Sequence, residues 1–396
     1  MTSAEKTLLE ALRFAVHGES LTWNGSRGEK NSLLRLARSH KILPLIAEAV
    51  YASLDSADRF RGVMVREARI WTVYQARRTA DFLLLYEELQ RRGLEPTMIK
   101  GIVLRSLYPQ PEQRASADED LLVSDAEYPA VHRALIDLGF TAVNPEAADE
   151  VTYLSDSRGL YLEVHRQLLP LSEAYGDCNA YFRDVLDRTV TVTVQEVTLR
   201  TLAPTDHLLF LICHAYKHFL HGGVGVRQIC DMGLFARRYR DELDQARILS
   251  VCRELRIDRL AAALFAIGRT YLGLESLSVF DGYREDVEPL LEDILSGGIY
   301  GVEDIDRAHS STLTLDAVAA QRAGRRRGGA LRSVFLPAGD LAGRYPYLRA
   351  RPWLLPVAWT QRVWDYVFRQ KHVHPTQSVR IGNRRIALFR RYGVID

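Results

Sequence analysis

An α+β fold, predominantly helical around a small mixed β-sheet, is predicted by three features of the 396-residue chain. Apolar residues recur at three- and four-residue intervals through residues 4–16, 30–52 and 57–92, the period of helices with one buried face. Between residues 95 and 123 a short apolar run enters a Lys-Gly turn, a helical stretch follows, and a second apolar run begins. Leu160-Tyr161-Leu162-Glu163-Val164-His165 alternates with period two, as a half-buried strand does. A chain of this length buries a large core and divides into substructures. The expected division is a helical region over 1–94, a sheet-bearing core over 95–202, a helical part over 203–300 and a basic region over 301–396.

Taken in order, the N-terminal helices read as scaffold, with a break in the second at Pro44, whose ring removes a backbone donor. Glu95-Pro96-Thr97-Met98-Ile99 forms the first strand, and Lys100-Gly101 turns it into a helical pattern over 102–108. Glycine there lets a ligand approach the backbone, the open N–H groups of the helix start would face an anion, and Lys100 adds a point charge. A purely structural turn explains the same two residues.

Asp118-Glu119-Asp120 then leads into Leu121-Leu122-Val123. In extended backbone, residues two apart share a face, so Asp118 and Asp120 point the same way and repel each other. A shared divalent cation relieves the repulsion, and Mg²⁺ characteristically takes one or two carboxylates along with substrate phosphates. Asp-x-Asp alone is more often a solvated turn. A helix over 126–138 and a hairpin follow. The second hairpin strand puts Glu163 and His165 on one face with Tyr161, opposite Leu160, Leu162 and Val164. Glu163 is thereby a third candidate carboxylate, although a lone strand Glu is more often simply exposed.

This order of strand, Lys-Gly turn, helix, strand with paired Asp, helix and hairpin resembles the polymerase-beta type of nucleotidyltransferase superfamily. The stretch from Met98 to Val123 is more closely similar to an uncharacterised bacterial nucleotidyltransferase family. The similarity lies in Ile99-Lys100-Gly101, Tyr108-Pro109, Arg114 four residues before Asp118, Asp118 with Asp120, and Leu121-Leu122-Val123. Leu162-Glu163-Val164-His165, His214 with His218, and Arg227 with Asp231 resemble later features of that family, over roughly residues 20–370 in all.

The resemblance implies transfer of an NMP group from a nucleoside triphosphate to a hydroxyl on a small molecule, a peptide or an RNA. It implies Mg²⁺ (or Mn²⁺) held by Asp118, Asp120 and Glu163, and a triphosphate held by Lys100 and Gly101 with the next helix start. Arg114 either contacts phosphate or pairs with a nearby acid; His165, His214, Lys217 and His218 would face the acceptor or the phosphates. Two residues depart from the pattern. Ile102 stands where the superfamily usually has a second Gly or Ser, and Glu119 stands where an apolar residue is common. Glu119 is expected on the opposite strand face, where an unpaired acid would be costly.

Pro204 starts a helix whose His207, His214, His218 and His221 fall within a sector of about 60°. No Glu follows His214 as in H-E-x-x-H, so hydrogen-bonded histidines facing core or cleft are expected rather than a zinc site. Residues 320–396 hold 16 Lys or Arg against 3 acids, leaving 36 bases and 47 acids before them. Arg325-Arg326-Arg327 and the aromatics Trp359, Trp364, Tyr366 and Phe368 suit a nucleic-acid surface or an interfacial membrane patch. Packing through the aromatics with a solvated basic face is the favoured expectation. A rival to the enzyme is a catalytically silent scaffold or nucleic-acid-binding module using this basic C-terminus; the three intact acids argue against it.

The hydrophobic share of 47% and charged share of 26% are those of a soluble globular protein. Cys178, Cys213, Cys230 and Cys252 are widely spaced, which excludes a zinc ribbon and a disulfide framework and fits a reducing cytoplasm. The first 12 residues lack the apolar stretch of a signal peptide, and no apolar run reaches membrane-spanning length.

Overall fold

Local capping signals set the helical frame of the computed structural model, which describes all residues except 144, 146–148, 171–172, 300–304, 323–340, 342–344, 346 and 365–374. Thr2 and Ser26 each accept from the backbone N–H three residues on, and Glu5 and Glu29 return the bond. Two capping boxes thus start α1 (Ser3–Val16) and α2 (Arg27–Ser39). Pro44 lies in the first turn of α3 (Leu43–Tyr51), where its missing N–H costs nothing, so the chain breaks ahead of the proline rather than at it. Asp58 caps α4 (Arg59–Arg91) through the Phe60 N–H at 2.8 Å.

The next stretch carries β1 (Thr97–Met98), α5 (Ile102–Arg105), β2 (Glu119–Leu122), α6 (Tyr128–Asp137), β3 (Thr141–Ala142), β4 (Glu150–Ser155), β5 (Leu160–His165), β6 (Thr189–Val194) and β7 (Val197–Leu202). Their order in one seven-stranded sheet is β3-β4-β5-β2-β1-β7-β6. β2 runs parallel to β5 and β1 parallel to β7, while the other neighbours are antiparallel, so the sheet is mixed as expected. The first strand is shorter than its sequence suggests: the Ile99 carbonyl leaves the ladder to meet His207 Nε2 at 2.8 Å.

One sheet face is apolar and packs Leu121, Leu162 and Val164 against Phe82 and Tyr86 of α4 and Val131 and Leu135 of α6. The other face carries Asp120, Glu163 and His165 toward α7 (Pro204–Leu220). Beyond it come α8 (Val226–Arg238), α9 (Gln245–Glu254), α10 (Asp258–Leu272), α11 (Glu288–Gly297), α12 (Ile305–Arg322), α13 (Tyr347–Ala350), α14 (Leu355–Trp364) and α15 (Pro375–Arg391). Leu8 and Leu12 of α1 share a single apolar core with Leu209 and Phe219 of α7, Ile267 of α10 and Phe389 of α15.

Within the basic C-terminus α15 packs inward, whereas Leu341, Tyr345, Leu348 and Ala358 form a small cluster of their own and Trp353 is exposed. The Phe389 and Phe219 rings lie 4.8 Å apart, and the fully buried Arg385 donates to the carbonyls of Phe219 and His221. Arg384 pairs with Glu292 at 3.1 Å and Arg391 with Asp286 at 3.2 Å. Arg325, Arg326, Arg327, Tyr366 and Phe368 lie outside the described residues. No described helix is long and apolar enough to cross a membrane, and the four cysteines are buried and unbridged.

Candidate active site

The ten residues singled out from sequence, Lys100, Gly101, Arg114, Asp118, Asp120, Glu163, His165, His214, Lys217 and His218, all border one cleft of about 250 Å³. Parallel register between β2 and β5 sets Asp120 opposite Glu163 and Leu122 opposite His165, which clusters the side chains of one face. One donor atom each from Asp120, Glu163 and His165 lies within 4.8 Å of the others, a spacing that suits a single cation. His165 Nε2 is 3.3 Å from Asp120 Oδ1 and 3.8 Å from Glu163 Oε2, while its Nδ1 is 3.4 Å from Glu150 Oε2. Asp118 stands just ahead of the strand on the cleft wall, outside that close set.

Burial, Asp120, Asp118 and Glu150 together push the Glu163 carboxyl up to about 8, and burial and Asp120 raise Asp118. Burial opposes ionisation of Asp120 too, but Lys100 and His165 outweigh it and hold that carboxyl well below its ordinary value. Crowded acids whose charges disfavour one another are what a divalent cation relieves, so the donor set fits one.

A cationic wall faces the acids. Lys100 Nζ lies 2.7 Å from Asp120 Oδ1 and 3.1 Å from His214 Nε2, which is in turn 3.2 Å from His218 Nε2. Burial, and then the charge of Lys100, keep both imidazoles neutral far below the usual histidine range; the same two causes lower Lys217. The helix presents hydrogen-bonded histidines to core and cleft, as its stripe predicts. His207 is buried with its ring held at about 4 by loss of water, and His221 bonds the Tyr175 hydroxyl.

The Lys-Gly turn works differently from its sequence reading. Gly101 has φ +49°, and a Cβ there would sit 2.0 Å from Glu119 Oε2. The Ile102 N–H donates to that same oxygen at 2.8 Å, and the Val103 N–H to the Lys100 carbonyl at 3.1 Å. Two of the N–H groups expected to stand open, those of Ile102 and Val103, are therefore used within the protein. Glu119 does occupy the opposite face, and it is paired: Arg105, itself fully buried, binds its other oxygen and reaches the Ser116 hydroxyl. Lys100 and Gly101 both border the cleft.

Arg114 holds Asp231 through two bonds of 2.7 Å, and the Tyr108 hydroxyl adds a third at 2.7 Å. Burial disfavours the Asp231 charge, but the guanidinium outweighs it and lowers the carboxyl. This pairing with an acid is one of the two roles expected for Arg114, and it leaves the residue on the cleft wall. Arg227 and Gln228 of α8, and Glu150 of β4, also line the cleft and were not singled out as site residues. Glu150 was findable only through register, which sets it opposite His165. Arg227 reaches the Ala115 carbonyl across a tertiary contact that no local pattern encodes.

The mixed sheet thus clusters acids opposite a lysine- and histidine-bearing helix, with Asp120, Glu163 and His165 spaced closely enough to hold a metal ion. The sequence model of a family described as uncharacterised nucleotidyltransferase matches residues 26–273, more than half of the chain. The protein belongs to that nucleotidyltransferase family. No curated protein and no solved structure matches it.

Proposed function

We propose that this cleft moves an NMP group from a nucleoside triphosphate to a hydroxyl acceptor. The observation that carries the reading is the meeting of Asp118, Asp120, Glu163 and His165 with Lys100, Lys217 and Arg227 in one cleft. Asp120 and Glu163, with Asp118 and His165 beside them, would hold Mg²⁺ or Mn²⁺, ions that carboxylate oxygens suit. A bound divalent cation would offset charge developing at the α-phosphate and on departing pyrophosphate. Lys100 and Lys217 bind phosphate oxygens as point charges. Glu163 orients the acceptor hydroxyl and takes its proton. His214 and His218 stay neutral beside Lys100, hydrogen-bonding the substrate without adding charge. Four buried, unbridged thiols support a cytoplasmic location.

Titrating Mn²⁺ with each nucleoside triphosphate and following thermal shift tests the reading. Stabilisation should need both metal and nucleotide and should vanish in the Asp118→Ala, Asp120→Ala double variant. Incubation with labelled triphosphates and candidate acceptors, followed by mass spectrometry, identifies the acceptor by its mass increment. Unchanged triphosphate binding in the double variant would defeat the proposal.

A further inference from the structure

The middle of α4 is apolar on its outer side. Ile70 is 62% exposed, Trp71 47%, Val73 69% and Tyr74 45%. A contiguous exposed patch of this kind marks an interaction surface more often than chance exposure. Beside it, between α3 and α4, lies a groove of about 170 Å³ walled by Pro44, Ala47, Val65, Ala68 and Val73, a space that takes one aliphatic or aromatic side chain.

Charge selects the occupant. Arg66 and Arg69 are exposed on the same helix and Arg61 lies 5.6 Å from the ring of Tyr51 on the groove wall; Glu67 is tied to Arg38, and Glu48, which keeps its charge beside the neutral Gln113, offsets one of these three arginines. The rim is basic around an apolar socket. A second copy of the chain would set these arginines against themselves. A nucleic acid would satisfy the arginines and stack on Trp71 and Tyr74, but the polar edges of a base would meet the aliphatic walls of Pro44, Ala47, Val65 and Val73 in the socket.

The same helix turns hold the site from their inner side. Gln75 accepts from the Ser116 N–H at 3.0 Å, and Arg78 donates to the carbonyls of Ser116 and Ala117 at 2.8 and 2.6 Å. Arg78 lies 5.6 Å from the Tyr74 ring, so the exposed patch is two contacts from the residue preceding Asp118. Gln113 of the groove wall begins the same segment.

We propose that the α3–α4 groove and the exposed turns of α4 dock an acidic polypeptide segment bearing an apolar anchor residue. Such a segment would bring side-chain hydroxyls as acceptors, a consequence that rests on the proposed nucleotidyl transfer; the docking itself does not.

Fluorescence anisotropy on the full chain tests it, with a labelled peptide alternating glutamate with leucine and phenylalanine. A lysine-for-glutamate peptide and an oligouridine serve as comparisons. The glutamate peptide should bind saturably, less well as salt rises, and at least about tenfold more weakly to Val73→Asp and to Arg66→Glu with Arg69→Glu. Both variants alter exposed side chains, and thermal melting checks that they fold. The Asp118→Asn, Asp120→Asn double variant should bind the peptide as the parent does, so an inactive cleft and an empty groove are told apart. Lack of saturable binding overturns the docking proposal, as does preference for the lysine peptide or oligouridine. Binding untouched by Val73→Asp, or a dimer in sedimentation that Val73→Asp dissolves, overturns it as well.

Discussion

The two faces of β2 carry the same chemistry to different ends. Glu119 and Asp120 are adjacent, both almost completely buried, and each meets a cation. On the apolar face Glu119 is closed in: Arg105 takes one oxygen and the Ile102 N–H the other. On the cleft face a single Asp120 oxygen, Oδ1, meets both a lysine and a histidine beside a second acid, Glu163. Burial of a carboxylate thus does not mark a site. What marks it is a partner that can leave, and a flexible ammonium at a cleft can, whereas a guanidinium locked behind a sheet cannot.

The sharpest way to break this contrast is Glu119→Ala, which leaves Arg105 buried without its acid and should cost about 3–5 kcal/mol. The loss should appear as a large drop in Tm, partly recovered when Arg105→Met accompanies it. On the cleft side, Asp120→Asn should lower Tm less than Glu119→Ala does, because Asp118 and Glu163 remain near Lys100, and should lower nucleotidyl transfer by roughly a hundredfold or more. A result in which Asp120→Asn melts the protein and Glu119→Ala only slows it would reverse the assignment of the two faces.

His207 extends the comparison to pH. Its folded value of about 4 lies below the ordinary 6.5, so the native state keeps the ring neutral while an unfolded chain binds a proton. The corresponding stability is present above about 6.5 and is lost as pH falls toward 4, reaching roughly 3 kcal/mol. Comparing denaturation midpoints of the parent and His207→Gln between pH 7 and pH 4 should show the parent losing more. The smallest effect is expected at the surface: Arg384→Ala, which removes a solvated pair with Glu292, should leave Tm nearly unchanged.

Features written locally in the chain were legible. Asp118 with Asp120, the Lys100-Gly101 turn and the alternation of Leu160–His165 each follow from spacing along a strand or turn, and all reach the same cleft. Features written across the fold were not. Nothing near Gly101 announces that Glu119 fills the space a Cβ would need, so an opening for phosphate and a close contact with an acid look alike in sequence. Arg114 could be read two ways until α8 brought Asp231 to it. A count of arginines in the C-terminal region likewise cannot distinguish a binding surface from Arg385, which is spent on two backbone carbonyls in the core.

The bond from His207 to the Ile99 carbonyl has a consequence for how the protein can be divided. The turn that aims Lys100 hangs from a helix that begins after the last strand of the sheet, as do the partner of Arg114 and the imidazole beside Lys100. A fragment ending at Leu202 would keep Asp118, Asp120, Glu150 and Glu163 but lose Asp231 and the struts that aim the cations of the cleft. Such a piece is an arch without its keystone, and swapping sheet regions between relatives would have to carry α7 and α8 along to transplant a working site.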